Sequence, residues 1–398
     1  KSSFSNIVIN LTDTSIEASC LSYVSKAATT KLISATGQNT DNLAVGSFIG
    51  HLKGYGSDNL DLNNNISSNA PGVENVEVNI TLKNFSESKS VINGVQNVDI
   101  VSDDRAKDNV SEGYVGGFIG YLENSFIKNV SVTCTNTDKK AIIRGAGNNK
   151  PNTAAVGGLI GETYLGAPSG IDGCSAKNLR IYGTAFYYNS NDVNIDDTYD
   201  LYVGGIIGVA GYDGKGKVLI KDSYVIDSRV ESFGERLMLP YAGGIAGGIW
   251  WGGTKNGKIY NCSVINSLIY SKSVRSQAYS AGVTAMLQRG IIDSCNIINT
   301  LVRSATENTQ KNTYSAGIVS RTRNNTNEIT NCFSNALVTY EGPKENKIKS
   351  GIYINGIDGG TVQTCSNNHY NPFNVGHTIE EDVNSLYGAL NVTEKNGA

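Results

Sequence analysis

The sequence predicts an all-β fold, a right-handed parallel β-helix (β-solenoid) of roughly ten coils with loop insertions. Three observations predict it. The 398 residues include 45 Gly and 46 Asn but only 6 Pro and 2 Met, a composition that suits short strands between tight turns and does not suit helices. One heptapeptide returns along the chain, and a second short element follows most of its copies.

The first element reads aromatic or Ala, apolar, Gly, Gly, apolar, Ile, Gly. From residue 114 onward its copies start 35 to 47 residues apart. The glycines allow a tight turn of the backbone. The copies are Ala44–Gly50, Tyr114–Gly120, Ala155–Gly161, Tyr202–Gly208 and Tyr241–Gly247, with decayed copies at Tyr279–Ala285, Tyr314–Ser320 and Ser350–Ile354.

The second element reads apolar-x-Asn-Cys-x-apolar and begins 12 to 18 residues after the start of the first. Copies or variants are Ile127–Val132, Ile171–Ala176, Ile220–Val225, Ile259–Val264, Ile292–Ile297, Ile329–Ser334 and Val362–Asn367, and the element also stands alone at Phe4–Ile9, Val73 and Val95. Because strands of four to six residues are too short to be stable alone, the copies must stack, and we expect three parallel sheets around a narrow apolar interior.

Asparagine precedes the cysteine-type position of this element in six coils: Asn6, Asn75, Asn97, Asn129, Asn261 and Asn331. Asparagine tolerates the left-handed backbone conformation, and stacked amides can hydrogen-bond from rung to rung. The pattern predicts an asparagine ladder at one corner of the solenoid.

The Gly-Gly-x-Ile-Gly element followed by Ile-x-Asn-Cys/Ser resembles the GLUG-motif repeats of bacterial and protist surface proteins. The resemblance covers about residues 44 to 366, although the copies after residue 279 lose their Gly pairs. It implies a solenoid over residues 1–366, with clear repeats from 44, and a capping or linker segment over 367–398. It also implies a link to adhesins and to the non-catalytic regions of immunoglobulin-A-cleaving metallopeptidases.

Five of the seven cysteines occupy one repeat position that Ser223 and Val130 fill in other coils. Small residues that exchange with Ser and Val indicate packing, so we expect a buried column of free thiols at Cys174, Cys262, Cys295, Cys332 and Cys365. The rung spacing of about 4.8 Å exceeds the usual Cβ separation of a disulfide. Cys20 and Cys134 fall outside this column, and few or no disulfides are expected.

Aromatic residues fall into two groups. Tyr114, Tyr202, Tyr241, Tyr279 and Tyr314 recur with the repeat, which predicts structural stacking. The other group consists of adjacent aromatics in predicted loops, where at least one ring is expected to be exposed for sugar stacking or protein contact. These candidate binding residues are Trp250, Trp251, Phe186, Tyr187 and Tyr188.

Other candidate sites are weaker. Asp192, Asn194 and Asp196 have the spacing of the first ligands in a calcium-binding loop, but Asp197 stands where such a loop requires Gly. Asn65 and Asn84 begin loop sequons that would carry glycans in a eukaryotic source. The chain has three histidines and no His-Glu-x-x-His motif, so no metallopeptidase site is predicted.

The net charge of −3 gives no electrostatic footprint for nucleic acid, and no apolar run is long enough to span a bilayer. We therefore expect a non-enzymatic extracellular or cell-surface module, without a cofactor. It would be a rigid spacer whose loop insertions contact a surface glycan, a protein ligand or neighbouring copies. The alternatives are a β-helical polysaccharide lyase or hydrolase, recognisable by charged residues converging on neighbouring rungs, and the non-catalytic stalk of a larger surface protease.

Overall fold

The fold is a parallel β-helix, as the sequence predicts. The computed structural model describes residues 4–25, 43–54, 72–84, 90–101, 113–148, 153–163, 169–186, 199–211, 217–235, 238–250, 257–324, 326–341, 347–354 and 361–371. All regular structure in these residues is β-strand, arranged in four sheets that we name A to D. The described part of the chain therefore contains no helix of the length and apolarity needed to cross a membrane.

Sheet A contains the second repeat element and is broken into strand pairs from its fourth rung onward. Its strands are Phe4–Thr12, Gly72–Thr81, Phe126–Cys134, Ser169–Asp172 with Ser175–Lys177, Val218–Lys221 with Tyr224–Ile226, Gly257–Tyr260 with Ser263–Ile265, Gly290–Asp293 with Asn296–Ile298, Asn327–Thr330 with Phe333–Ser334, and Val362–Ser366 with His369–Tyr370. Sheet B consists of Ile16–Ser25, Ile92–Val101, Ala141–Asn148, Leu179–Phe186, Arg229–Gly234, Leu268–Ser273, Leu301–Thr306 and Leu337–Glu341.

The first repeat element supplies two strands rather than one, which is why there are four sheets and not the three expected. Sheet C consists of Leu43–Val45, Gly113–Gly116, Thr153–Gly157, Tyr199–Gly204, Met238–Gly243, Ala278–Ala281, Thr313–Ala316 and Lys347–Ser350. Sheet D consists of Ile49–Lys53, Ile119–Glu123, Ile160–Thr163, Ile207–Ala210, Ala246–Ile249, Thr284–Gln288 and Val319–Arg323.

The chain runs through sheets A, B, C and D in turn, so each circuit is one coil and each sheet is parallel. The register is constant: Ile127 pairs with Ile171, and the same column continues through equivalent isoleucines to Ile329. Sheet A has nine rungs in the described residues. The sequence suggests a separate coil at Val95, but Val95 lies in sheet B beside Ala146 and does not begin a coil.

The predicted asparagine corner is present, with one correction. Asn6, Asn75, Asn129, Asn261 and Asn331 all have φ between 50° and 56°. Amide hydrogen bonds link successive rungs, for example from Asn129 to Asn75 at 2.9 Å. Asn97 is not part of this ladder, because it lies in sheet B opposite Leu21. A second left-handed column stands between sheets A and B, at Asn178, Asp227, Asn266 and Asn299.

The interior is apolar and includes four of the five predicted thiols. Cys174, Cys262, Cys295 and Cys332 are free and no more than 1% exposed. The prediction for the fifth is wrong, because Cys365 pairs with Ile329 and is only half-buried. In the last coil Asn368 occupies this column instead. Its Oδ1 accepts a hydrogen bond from the backbone amide of Cys332 at 2.8 Å. Outside the column, Cys134 is also a buried free thiol.

Sheets C and D fold back on each other. A second apolar layer forms at their interface, on the outside of the coil. The glycines make this close approach possible. A Cβ added to Gly208 of sheet D would lie 2.5 Å from the amide nitrogen of Val156, in sheet C of the preceding coil. A Cβ added to Gly205 at the turn would lie 2.0 Å from the Gly244 oxygen in the next coil. Both faces of the sheet D strand Ile207–Ala210 are therefore buried.

Candidate binding site at the Trp250 corner

The second apolar layer is built on a stack of tyrosines, as the repeat predicts. The rings of Tyr202, Tyr241, Tyr279 and Tyr314 stack with centroids 4.8 to 4.9 Å apart. The side chains of these four residues are at most 5% exposed. Tyr114 stands in the same column but is separated from Tyr202 by Ala155. The stack occupies the sheet C side of the interface with sheet D and is inaccessible along its length.

Each buried phenol needs a hydrogen-bond partner, and most find one two residues earlier in the chain. The hydroxyl of Tyr202 donates to Asp200 Oδ2 at 2.8 Å, and that of Tyr279 donates to Gln277. The hydroxyl of Tyr314 accepts from Asn312 Nδ2 at 3.1 Å. The spacing polar-x-Tyr therefore marks the outer end of the stack.

Tyr241 is the exception, because an apolar Leu239 stands two residues before it. Its hydroxyl instead accepts from Nη1 of Arg321, which comes from sheet D two coils further along. Arg321 is only 4% exposed, and its guanidinium lies 5.0 Å from the centroid of the Tyr279 ring. The Tyr241 oxygen thus gives the buried Arg321 guanidinium an acceptor, and the Tyr241 proton is left for a hydrogen bond to the Asp200 carboxylate.

Burial sets the protonation of this cluster. It raises the pKa of the Asp200 carboxyl, an effect opposed by the Tyr202 hydrogen bond and by the charges of Arg321 and Arg323. It also holds the pKa of Tyr202 and Tyr241 well above their usual range, with the Asp200 charge adding to the effect. At neutral pH both phenols therefore remain protonated and act as hydrogen-bond donors or acceptors, and neither is a base.

Trp250 lies at the outer rim of this cluster. Its backbone amide donates to the Ala210 carbonyl at 3.1 Å, which extends the ladder of sheet D by one residue. The ring meets Tyr202 edge-on at 6.2 Å, and the Arg323 guanidinium lies 4.8 Å from the ring centroid. Trp250, Arg323 and Asp200 are all partly exposed. We call Asp200, Tyr202, Trp250, Arg321 and Arg323 the Trp250 corner.

The corner brings together two segments that the sequence singled out separately. Asp200 is the second residue of a sheet C strand and follows residues 187–198, whereas Trp250 directly precedes residues 251–256. Tyr202 and Trp250 are in contact, so the start of the strand Tyr199–Gly204 and the end of the strand Ala246–Ile249 meet at one place. The Trp250 ring therefore packs against the end of the tyrosine stack.

The other predicted site residues are placed only in part. Phe186 ends a strand of sheet B. Tyr187, Tyr188, Trp251, the calcium candidates Asp192, Asn194 and Asp196, and the sequon residue Asn65 lie outside the described residues. Asn84 is exposed, and its backbone amide donates to the Asp13 carboxylate at 3.0 Å. The described residues hold no group of three or more His, Cys, Asp or Glu suited to a metal ion.

The sequence analysis missed Arg321, Arg323 and Asp200. For Arg321 a signal existed, since the equivalent positions of the preceding coils are Val209, Gly248 and Met286. The same column contains His51, Tyr121 and Glu162 in earlier coils. The return of a charge after three small or apolar rungs therefore indicates a specific buried partner. For Asp200 the signal was the polar-x-Tyr spacing that Gln277 and Asn312 repeat.

Comparison with known proteins leaves the family open. No family model matches the chain, and no curated protein matches it. Among solved structures, the chain is similar to the crystal structure of a putative immunoglobulin A1 protease from Bacteroides ovatus, with 17% sequence identity and a TM-score of 0.35. The similarity covers 75% of this chain and 77% of that one.

Proposed function

We propose that the chain is a non-enzymatic extracellular module, a rigid rod that holds an adhesive surface away from its point of attachment. The observation that carries this proposal is the unbroken stack of nine rungs in sheet A. Eight intervals of about 4.8 Å give a rod on the order of 40 Å long. Its surface location, and a role as the stalk of a larger surface protein, are supported by the resemblance to GLUG-motif repeats.

The contact surface that we propose is the Trp250 corner. Rung positions are fixed by stacking, whereas the insertions that end at the corner are free to vary in length and sequence. A partly exposed tryptophan that carries a stacked arginine offers apolar area together with hydrogen-bond donors. This combination suits a sugar ring with its hydroxyl groups, or the rim of a protein surface.

The test measures attachment of the purified chain to a glycan array and to immobilised extracellular-matrix proteins. We expect Arg323→Gln, and the double variant Trp250→Ala with Trp251→Ala, to lose binding to whichever ligand the wild type recognises. The matched control is Tyr224→Ala, which removes an aromatic side chain that is 42% exposed on sheet A, away from the corner. Equal binding by wild type and both corner variants would contradict the proposed site.

Stability has to be followed in the same experiment, because Trp250 packs against Tyr202. Removing a half-buried ring is expected to lower the free energy of unfolding by about 2 kcal/mol. Arg323→Gln removes the exposed donor and leaves the tyrosine stack intact. Loss of binding in Arg323→Gln, with an unchanged melting temperature, therefore separates recognition from folding.

A second candidate, a polysaccharide lyase or hydrolase, is favoured by the convergence of Asp200, Tyr241 and Arg321 from three different coils. Such an enzyme needs charged groups gathered on neighbouring rungs. Incubation with polyuronates and neutral glycans, followed by assays for new reducing ends and for unsaturated products, tests it. Product formation by the wild type that Asp200→Asn abolishes would replace the non-enzymatic proposal.

A further inference from the structure

The outer face of sheet B carries rows of charged and aromatic side chains. The face considered spans six strands, from Ala141–Asn148 to Leu337–Glu341. Alternate residues of each strand point outward, and the register places them in columns that cross the strands. The central column contains, in order along the rod, Arg144, Tyr182, Glu231, Tyr270, Arg303 and Thr339. We call these six strands' outward side chains the sheet B face.

The sheet B face is positively charged although the whole chain has a net charge of −3. Its outward positions carry two carboxylates, Glu231 and Glu341. The cationic residues outnumber them and are Arg144, Arg180, Arg229, Lys272 and Arg303.

Three of the cations are held by acidic neighbours, and two are not. Arg180 Nε lies 2.5 Å from Glu231 Oε2, Arg303 pairs with Glu341, and Lys272 lies 2.7 Å from Glu307 just beyond the strand. Arg144 is half-buried and Arg229 is exposed. Among the described residues, neither of these two forms an ion pair. The uncompensated charge therefore lies toward the end of the face nearer the N-terminus.

Two aromatic rings stand in the central column of the sheet B face. Tyr182 and Tyr270 stand in one column with Glu231 between them, so they are two rungs apart. The Arg180 guanidinium lies 5.0 Å from the Tyr182 ring centroid, and that of Arg303 lies 5.9 Å from Tyr270. A guanidinium stacked on a phenol ring is held in a fixed orientation and still has outward donors.

We propose that the sheet B face binds an extended polyuronate, a polysaccharide with a carboxylate on successive sugars, lying along the rod axis. The proposal rests on the proposed function as a contact-making rod. The rung spacing of about 4.8 Å is close to the advance per residue of an extended polysaccharide, so one sugar fits each strand. Planar carboxylates match the forked donors of arginine. Arg144 and Arg229 supply the charge that the ligand neutralises.

The probe is polygalacturonate, with its fully methyl-esterified form, dextran sulfate and neutral dextran as comparison polymers, and binding is measured by titration calorimetry. We expect polygalacturonate to bind more tightly than any comparison polymer, and added salt to weaken this binding because exposed charges are screened. With oligogalacturonides of increasing length, affinity should rise and then level off at about six residues, one for each strand of the face.

The variant pair is Arg144→Gln with Arg229→Gln, and the control is Lys177→Gln, an exposed cation on sheet A. Loss of a charge-assisted contact is expected to raise the Kd about tenfold for each arginine, and the control should bind as the wild type does. Circular dichroism and melting temperature establish that the variants are folded.

Three results would overturn the inference: no binding of polygalacturonate by the wild type, equal binding of the methyl ester, or tighter binding of dextran sulfate. The same holds if Lys177→Gln weakens binding as much as the double variant. These failures are distinguishable from failure of the proposed function, because attachment through the Trp250 corner is measured with different variants and different ligands. An intact Trp250-dependent attachment without polyuronate binding would leave the rod proposal standing and remove only the sheet B assignment.

Discussion

The buried thiol column makes the stability of the solenoid sensitive to alkaline pH. Cys174 is fully buried, and its Sγ lies 3.3 Å from the Asp172 carbonyl oxygen. Burial raises the pKa of its thiol from an ordinary 9.0 to about 12, because a thiolate in the interior would lose its hydration. The pKa values of Cys295 and Cys332 are also raised well above the ordinary range. The folded state therefore excludes the ionised form that the unfolded chain readily adopts.

The direction of the effect follows from the order of the two pKa values. Below pH 9 the thiol is protonated in both states, and its contribution to stability is fully present. Between pH 9 and about 12 the unfolded chain releases a proton that the folded chain retains, so the free energy of unfolding falls as pH rises. The loss is about 1.4 kcal/mol per pH unit, or about 2 kcal/mol at pH 10.5, for this one thiol.

The substitution that isolates the contribution of this thiol to the pH dependence is Cys174→Val, since valine fills the same position of the neighbouring rung at Val130. Near neutral pH the substitution should change the free energy of unfolding by less than about 1.5 kcal/mol. Urea unfolding under reducing conditions, at pH 8 and at about pH 10.5, should show the wild type losing about 2 kcal/mol more than the variant. Ser228→Ala removes a buried hydroxyl that does not titrate in this range and should keep the wild-type pH dependence. Identical pH dependence in the wild type and Cys174→Val would refute the reasoning.

Three further outcomes are expected. Gly244→Ala should lower the free energy of unfolding by about 2–3 kcal/mol in urea titrations, because the new Cβ would lie 2.0 Å from a carbonyl oxygen of the next coil. Gly243→Ala would place a Cβ 1.8 Å from the Ala246 oxygen of its own coil, but Ala281 and Ala316 occupy the equivalent position in later coils. It should therefore cost less than half as much, and equal costs would contradict the assignment. A double-mutant cycle of Tyr241→Phe and Arg321→Met, followed by thermal melts, should give a coupling of about 1–3 kcal/mol, with additivity as the contrary result. Asn331→Ala should be about 1 kcal/mol less stable than Asn331→Gly, because φ is 54° there, and the reverse order would remove the backbone argument.

The repeat could be read from the sequence because its residues are fixed by backbone geometry. The corner asparagines have left-handed φ values, and the glycines stand where a Cβ would collide with a neighbouring coil. Such positions accept few residue types and so remain recognisable from coil to coil. Sheet B has no comparable motif, since its outward positions alternate among Arg, Tyr, Glu and Leu. For this reason the strand around Val95 was mistaken for a separate coil.

One error arose where the spacing of a motif changed. In the last coil the corner is taken by Asn367, which donates to Asn331 at 3.1 Å. Cys365 therefore stands three positions before Asn368, the true occupant of the thiol column. The sequence Thr-Cys-Ser resembles the motif, but the coil is aligned by Asn367. The reason is that only the corner position requires a positive φ.

The candidate site was less accessible to sequence reasoning, because its contacts join residues far apart in the chain. The separation of 80 positions between Tyr241 and Arg321 is bridged by stacking of coils, and no local pattern encodes that distance. Trp250 could be identified as an unusual residue in a loop. Its contact with Tyr202 could not be foreseen without knowing that sheets C and D fold back on each other.

The decay of the first element after residue 279 shows which of its glycines the architecture requires. In the coil that contains Ala281, the first glycine of the pair is replaced, yet Ala281 still pairs with Gly243 in sheet C. The second glycine persists as Gly282, where a Cβ would lie 2.0 Å from the Gly317 oxygen of the next coil. The first position faces the turn within its own coil, which can adjust when that coil changes. The second faces the neighbouring coil, so a side chain there would separate the rungs and interrupt the stack on which the rod depends.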